Sequence, residues 1–223
     1  MSLDIESAAQ LDLDALASEP MLVLDPASIR NLIEERRKIG ADRFDEVWEG
    51  QYRMSPSPSN RHYRVADAIY RVLAEFFDGT KTIVQTGGSV SDRRREWAKN
   101  FRVPDVLVVM PGGKAIDCGE FYHGGPDFVV EIVSPGERPH DKLPFYASIG
   151  VREALLIDRD TLELELFRLD GERITSQGRS TQTESLPIAS VVMPLTWSTT
   201  TRNDRPALRI HCDAQTFERW ISP

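Results

Sequence analysis

The chain has 223 residues, of which 40% are hydrophobic and 28% charged, and its formal net charge is -8. That length supports one domain with a proper core and an added arm, and the composition is that of a soluble globular protein. The acidic balance excludes a protein that coats nucleic acid through bulk positive charge.

Residues 1–25 open on MSLDIESAAQLDLD, which lacks the basic and apolar runs of a secretory signal. No stretch approaches 18 uninterrupted apolar residues, so no membrane span is expected. The two cysteines, Cys118 and Cys212, are far apart. Reduced thiols in a cytoplasmic protein are the expectation, although one disulfide would be possible in principle. The arm carries Leu11, Leu13, Met21, Leu22 and Val23, which could swap onto a partner or cover the chain's own sheet.

The pattern from Pro26 predicts a helix opened by Pro26 or Ser28, with Ile29, Leu32 and Ile33 on one face and Gly40 as its stop. WEGQYRMS (48–55) reads as a strand. Ser57 or Ser59 then caps a strong helix in which Val65, Ile69, Val72, Leu73 and Phe76 recur at helical spacing, before Gly79. KTIVQTGGSV (81–90) reads as a strand entering a turn, and SDRRREWAKN (91–100) as an exposed charged loop. FRVPDVLVVM (101–110) and PDFVVEIVSP (126–135) are strands apolar enough for burial on both faces, joined by a Gly-rich connection. A short helix follows at 141–150, with Pro144 in its first turn, where the missing N–H does no harm. Residues 153–160 and 162–171 read as a hairpin. The tail predicts strands at Ser190–Thr196 and Ala207–Cys212 and a terminal helix, DAQTFERWI (213–221). The order of elements gives α/β, or α+β, with one mixed sheet and a helix on each face.

Two carboxylates interrupt the apolar strands: Asp105 in VPDVLVV and Glu131 in DFVVEIVS. An ionised carboxylate among valines is costly unless a cation or a hydrogen-bond network compensates it. Two such acids are most simply explained as one shared site, whose mutual repulsion a divalent cation relieves. An oxygen-only donor set favours Mg²⁺ or Mn²⁺ over zinc. Lys142, just after the Glu131 strand, is placed to orient a water or to stabilise charge developing during phosphodiester hydrolysis.

These residues, in this order, resemble the PD-(D/E)xK restriction-endonuclease-like superfamily. More narrowly, they resemble a large bacterial branch of it described as restriction endonucleases. The branch's pattern is met by Glu49-Gly50, His62, Pro104-Asp105, Glu131 with Ser134-Pro135, Lys142 with Tyr146 and Gly150-Val151, and Ile157-Asp158. The match spans roughly residues 46–170. One position departs from the superfamily: its lysine stands two residues after the glutamate, where this chain has Val133. The branch moves that lysine to the following helix, and Lys142 fits the role.

The resemblance implies a restriction-endonuclease-like mixed central sheet flanked by helices, over residues 46–223, with residues 1–45 as an N-terminal arm and helix. It implies a Mg²⁺- or Mn²⁺-dependent endonuclease acting on DNA, expected as a homodimer because two strands must be cut. Asp105, Glu131 and Lys142 would be catalytic, the first two as metal ligands, with Glu49, His62 and Tyr146 as accessory candidates. Arg93, Arg94 and Arg95 are the local candidates for phosphate contact.

Each residue also has a plainer reading. Asp105 could cap a turn, and Glu131 could pair with an arginine of the 93–95 run. Lys142 could be a surface lysine paired with Asp141 or Asp158. Glu49 could be merely solvated, His62 a surface or supporting residue, and Tyr146 packing. Two other functions therefore stand beside the nuclease. One is a catalytically inactive binding or assembly protein of the same fold. The other is a metal-dependent hydrolase of small phosphorylated substrates, disfavoured because no Walker-type cradle or nucleophile motif is present.

Overall fold

The computed structural model describes residues 21–22, 26–212, 214 and 217–222. Most of the expected arm therefore lies outside the described residues. Strand β1 (Met21–Leu22) precedes helix α1 (Pro26–Ile39), which begins at Pro26, one of the two openings its sequence offers. The burial of α1 is shallow: Ile33 is only half-buried and Leu32 and Ile39 are exposed.

The single strand expected at 48–55 is a hairpin. Strands β2 (Glu46–Trp48) and β3 (Gln51–Met54) pair Trp48 with Gln51 across Glu49 and Gly50, at φ 47° and 85°. Two left-handed residues in a row match the twist of the flanking strands, which places a glycine in the turn. Helix α2 (Asn60–Phe76) is capped by Ser59, whose Oγ accepts the His62 backbone N–H at 3.2 Å. Its buried stripe is Val65, Ile69, Val72 and Leu73.

Strands β4 (Ile83–Thr86) and β5 (Val90–Ser91) follow, then a 3₁₀ turn at Trp97–Lys99. The run 101–110 is not continuous: β6 (Phe101–Arg102) and β7 (Val106–Val109) belong to different sheets, with Val103–Asp105 as the crossing. The Gly-rich connection carries β8 (Ile116–Asp117) and β9 (Tyr122–His123). Beyond it come β10 (Phe128–Val133), a 3₁₀ turn at Pro139–Lys142, and α3 (Leu143–Ile149), ended by Gly150 at φ 85°. The expected hairpin is β11 (Glu153–Asp158) with β12 (Leu164–Asp170), and β13 (Arg173–Ser180) extends it.

The tail differs from its sequence pattern. Its strands are β14 (Ile188–Ala189), β15 (Thr196–Arg202), β16 (Arg205–Cys212) and β17 (Phe217–Ile221). The expected strand at 190–196 shifts because the β-branched run 199–201 pairs with β16 around Asn203 and Asp204, both left-handed. The expected terminal helix is instead strand β17, because Phe217–Ile221 completes its hydrogen bonding on β16 and buries Ile221. Tertiary pairing overrides the helix propensity of that segment.

The central sheet has the order β13-β12-β11-β10-β7-β4, with β10 and β11 parallel and the other pairs antiparallel. Short strands form a second sheet, β1-β3-β2-β6-β5-β9-β8, and β14–β17 form a third. Alternation along β10 divides the core. Phe128, Val130 and Ile132 pack with the α2 stripe and Trp197 of β15, whereas Val129 and Val133 pack with Leu143, Tyr146 and Ile149 of the opposite layer. Glu131 shares the second face by the same parity, so it is aimed at α3. The mixed central sheet with helices on both faces is the expected α+β architecture, but the strands fall into three sheets and not the one that the element order suggests.

Candidate active site

Register places Asp105. The β7–β10 ladder runs Val108↔Phe128, Leu107↔Val129, Val106↔Val130, so Pro104 would face Ile132 next. Proline has no N–H to offer, and the ladder stops there. The Asp105 carboxylate takes over, with Oδ2 accepting the Ile132 N–H at 2.6 Å. Its Oδ1 lies 2.8 Å from Nε2 of His62, in the first turn of α2. His62 is buried, and its Nδ1 is 3.4 Å from Ser134 Oγ. Burial alone would lower the His62 pKa, but the bond and charge of Asp105 outweigh it and raise the pKa above the usual imidazole value.

Glu131 is buried, and every oxygen of its carboxylate is engaged. Oε2 accepts Lys142 Nζ at 2.9 Å, and Oε1 accepts the Tyr146 hydroxyl. Burial pushes the Glu131 pKa up to about 7. The positive charge of Lys142 and the Tyr146 hydrogen bond oppose the rise, and the nearby Asp105 and Glu46 charges add to it. Lys142 ends the 3₁₀ turn before α3 and points inward. Burial would lower its pKa, but Glu131 and Glu46 together raise it, so the ammonium is held charged. The plainer reading of Lys142 as a surface lysine is excluded.

The sequence pattern did not single out Glu46, yet it completes the cluster. Its Oε1 lies 2.9 Å from Lys142 Nζ and accepts the Val103 N–H at 2.8 Å, while Oε2 accepts Trp48 Nε1 at 2.6 Å. The available signal was the alternation of β2, which puts Glu46 and Trp48 on one face of a buried strand. Behind them Arg102, 2% exposed, lies 4.2 Å from the Trp48 ring and 4.1 Å from the Phe145 ring. Lys142 therefore bridges two strands from different sheets.

The carboxylates Glu46, Asp105 and Glu131, with Lys142 and His62, line one open cleft of about 670 Å³. Of the expected members, Tyr146 is fully buried behind Glu131 and does not line it, and Glu49 and the Arg93–Arg95 run stay outside. Glu49 is a turn residue with a side chain 70% exposed, and it pairs with Arg102 at 3.2 Å. A left-handed turn residue points away from the strand face that carries Glu46. Arg93, Arg94 and Arg95 are exposed and line no part of the cleft; Arg93 is held by Asp92 at 2.7 Å. Glu131 pairs with Lys142, not with that arginine run.

Among the described residues no three of His, Cys, Asp and Glu are gathered as a metal cage. The donor chemistry nevertheless fits a hard cation. Asp105 and Glu131 present oxygens only, and a carboxylate oxygen with one hydrogen bond keeps a second acceptor position. A cation held by two carboxylates, with water filling its remaining positions, is the mode expected of Mg²⁺.

Fold and site together define a restriction-endonuclease-like protein: a mixed sheet with acidic residues and a lysine converging beside its central strands. The family model of Uma2, described as "Putative restriction endonuclease", matches residues 38–202, and the chain belongs to that family. A crystal structure of a "putative nuclease" belonging to DUF820, from Anabaena variabilis ATCC 29413, superimposes with a TM-score of 0.54 at 16% identity, covering 69% of this chain and 86% of that one. At that identity the likeness concerns the fold. No curated protein matches by sequence. Restriction-endonuclease-like proteins generally use divalent metals. No helix among the described residues is long and apolar enough to cross a membrane.

Proposed function

We propose that the protein is a Mg²⁺- or Mn²⁺-dependent endonuclease that hydrolyses DNA phosphodiester bonds. The observation that carries this reading is the inward lysine: Lys142 Nζ sits 2.9 Å from Glu131 and from Glu46, on the sheet face where Val133 stands in place of the superfamily lysine. Asp105 and Glu131 are the proposed ligands of the cation. When bound, the cation supplies charge neutralisation at a phosphate and acidifies a water.

The chain's own residues then have distinct tasks. The Lys142 ammonium offsets negative charge that builds on the phosphate, from a site where low polarity strengthens the attraction. Tyr146 fixes the plane of Glu131, and His62 with the Ile132 N–H fixes that of Asp105. Glu46 also holds Lys142 and is itself locked by Trp48 and Val103. A homodimer acting in the cytoplasm completes the proposal; two sites would serve two strands, and free Cys118 and Cys212 suit a reducing compartment.

Plasmid nicking with Mg²⁺ or Mn²⁺ tests the reading. Wild type should nick, EDTA should stop it, and Asp105→Ala should abolish it while keeping the fold. Undiminished nicking by Asp105→Ala would sink the proposal. A second reading, a non-catalytic binding protein, is favoured by one observation: all four oxygens of Asp105 and Glu131 already have protein partners. No cleavage by wild type, with no Mn²⁺ uptake at millimolar concentration by calorimetry, would select it.

A further inference from the structure

The cleft carries cations of two kinds. Arg138 is paired with Asp141 at 3.1 Å, and Arg159 with Asp160 at 3.3 Å. Lys142 is held between Glu46 and Glu131. Arg53 differs. It lies on β3, lines the same cleft, and its guanidinium stands 3.6 Å from the centre of the Trp48 ring. Its buried Nε has no hydrogen-bond partner among the described residues. No carboxylate among them forms an ion pair with it.

Stacking on the indole face holds a guanidinium flat while leaving its N–H edge free. Buried donors without acceptors are rare, because leaving one unmade is costly. The buried Nε is itself out of a ligand's reach, but the terminal N–H groups of Arg53, which lines the cleft, likewise have no acceptor among the described residues, so an incoming anion would meet them. The geometry is also coupled to the acidic cluster: Trp48, under Arg53, donates its own N–H to Glu46, which holds Lys142. An anion on Arg53 would therefore lie one indole ring away from the residues proposed to carry chemistry.

We infer that Arg53, stacked on Trp48, is the phosphate clamp of this cleft and binds a backbone phosphate of the DNA strand beside the one that is cut. This rests on the nuclease reading for the identity of the strand, but the contact itself is a binding property. Planar guanidinium matches the two-oxygen edge of a phosphodiester, a match that an ammonium lacks. It also supplies a phosphate contact in an acidic protein whose Arg93–Arg95 run lies away from the site.

The test is the binding of a fluorescein-labelled DNA duplex, followed by anisotropy across a salt series without divalent metal, so that no cleavage intervenes. Arg53→Met, which keeps an apolar stem over Trp48, should bind roughly tenfold more weakly, the loss of one charge-assisted contact. The slope of log K against log salt should shrink by about 0.9, the value for one phosphate. Arg53→Lys should recover the slope but only part of the affinity, and Arg93→Met should match wild type. Equal affinity and slope for Arg53→Met, with an unchanged circular dichroism spectrum, would overturn the inference, as would absence of duplex binding by wild type. Wild type that binds through Arg53 yet never nicks DNA with Mg²⁺ or Mn²⁺ would remove the nuclease reading and leave the clamp standing.

Discussion

The ammonium of Lys142 lies 2.9 Å from the carboxylate of Glu131, eleven residues earlier in the chain. The two side chains meet because β10 aims Glu131 at the α3 layer and the turn before α3 brings Lys142 back across the strand end. Glu46 holds the same ammonium from another sheet.

Removing that lysine should therefore damage both stability and activity. Lys142→Met leaves Glu46 and Glu131 buried beside each other without their cation. Breaking a buried ion pair from one side costs about 3–5 kcal/mol, and urea unfolding should show a loss of that order. Lys142→Met/Glu131→Gln should regain part of the stability while remaining unable to nick plasmid. A double variant no more stable than the single one would show that the pair is not the source of the loss.

Glu137 offers a prediction about pH. It lies in the cleft wall and accepts the Ser134 N–H at 2.9 Å, and burial raises its pKa despite that bond. A carboxylate whose pKa is higher folded than unfolded binds its proton more tightly in the folded state. Folded stability is therefore lost as pH rises from the ordinary glutamate value of 4.5 up to the raised one, and the loss persists above it. Glu137→Gln removes this penalty and keeps an acceptor for Ser134. Its urea midpoint should exceed wild type at pH 7 and approach it at pH 4. A midpoint at pH 7 at or below that of wild type would contradict the argument.

Glu153 makes the contrasting case. It is fully buried and receives Arg168 at 2.8 Å, the Val191 N–H at 3.1 Å and the Ser190 hydroxyl. It ties β11 to the segment leading into β15, and it lines no cleft. Glu153→Ala should destabilise by about 3 kcal/mol, since a buried charged network loses its centre. Nicking by the protein that remains folded should equal that of wild type. Loss of cleavage at temperatures well below its melting point would assign Glu153 a part in the site.

Cleavage should depend on His62 less than on Asp105. His62 holds one oxygen of Asp105, and the Ile132 N–H holds the other. His62→Gln should thus lower the rate by about 10- to 100-fold, the range seen when a group that orients a ligand is removed. Asp105→Ala should abolish it. Single-turnover nicking rates compare the two, and equal losses would mean that His62 does more than hold Asp105.

The acids of this chain show how far residue type alone can be carried. Apolar strand context marks Asp105 and Glu131, but it marks Glu153 in EALLID just as strongly, and Asp45 and Asp127 are buried as well. Asp45 is spoken for by Arg36 and Asp127 by Arg152 and the Met110 N–H. Burial of a carboxylate is therefore common to scaffold and site in this molecule. The ordered family pattern named Asp105 and Glu131, and the structure places both in the wall of one cleft that Asp45, Asp127 and Glu153 do not line.

Local periodicity was enough to predict the α2 stripe, the buried strands β7 and β10, and the β11–β12 hairpin, because each depends on side chains close in sequence, whereas the choice of Ser59 over Ser57 as the α2 cap came from the structure. The ordered set of residues was enough to indicate the mixed sheet with helices on both faces. Tertiary structure alone decided what depends on distant partners. It made a strand of Phe217–Ile221 by offering it the edge of β16, split 101–110 between two sheets, sent Glu49 outward on a left-handed turn, and brought Glu46 into the cluster. It also decided the direction of Lys142. A lysine's long stem can reach solvent or a buried acid with equal ease locally, and only two carboxylates converging from separate sheets make the inward position the more stable one.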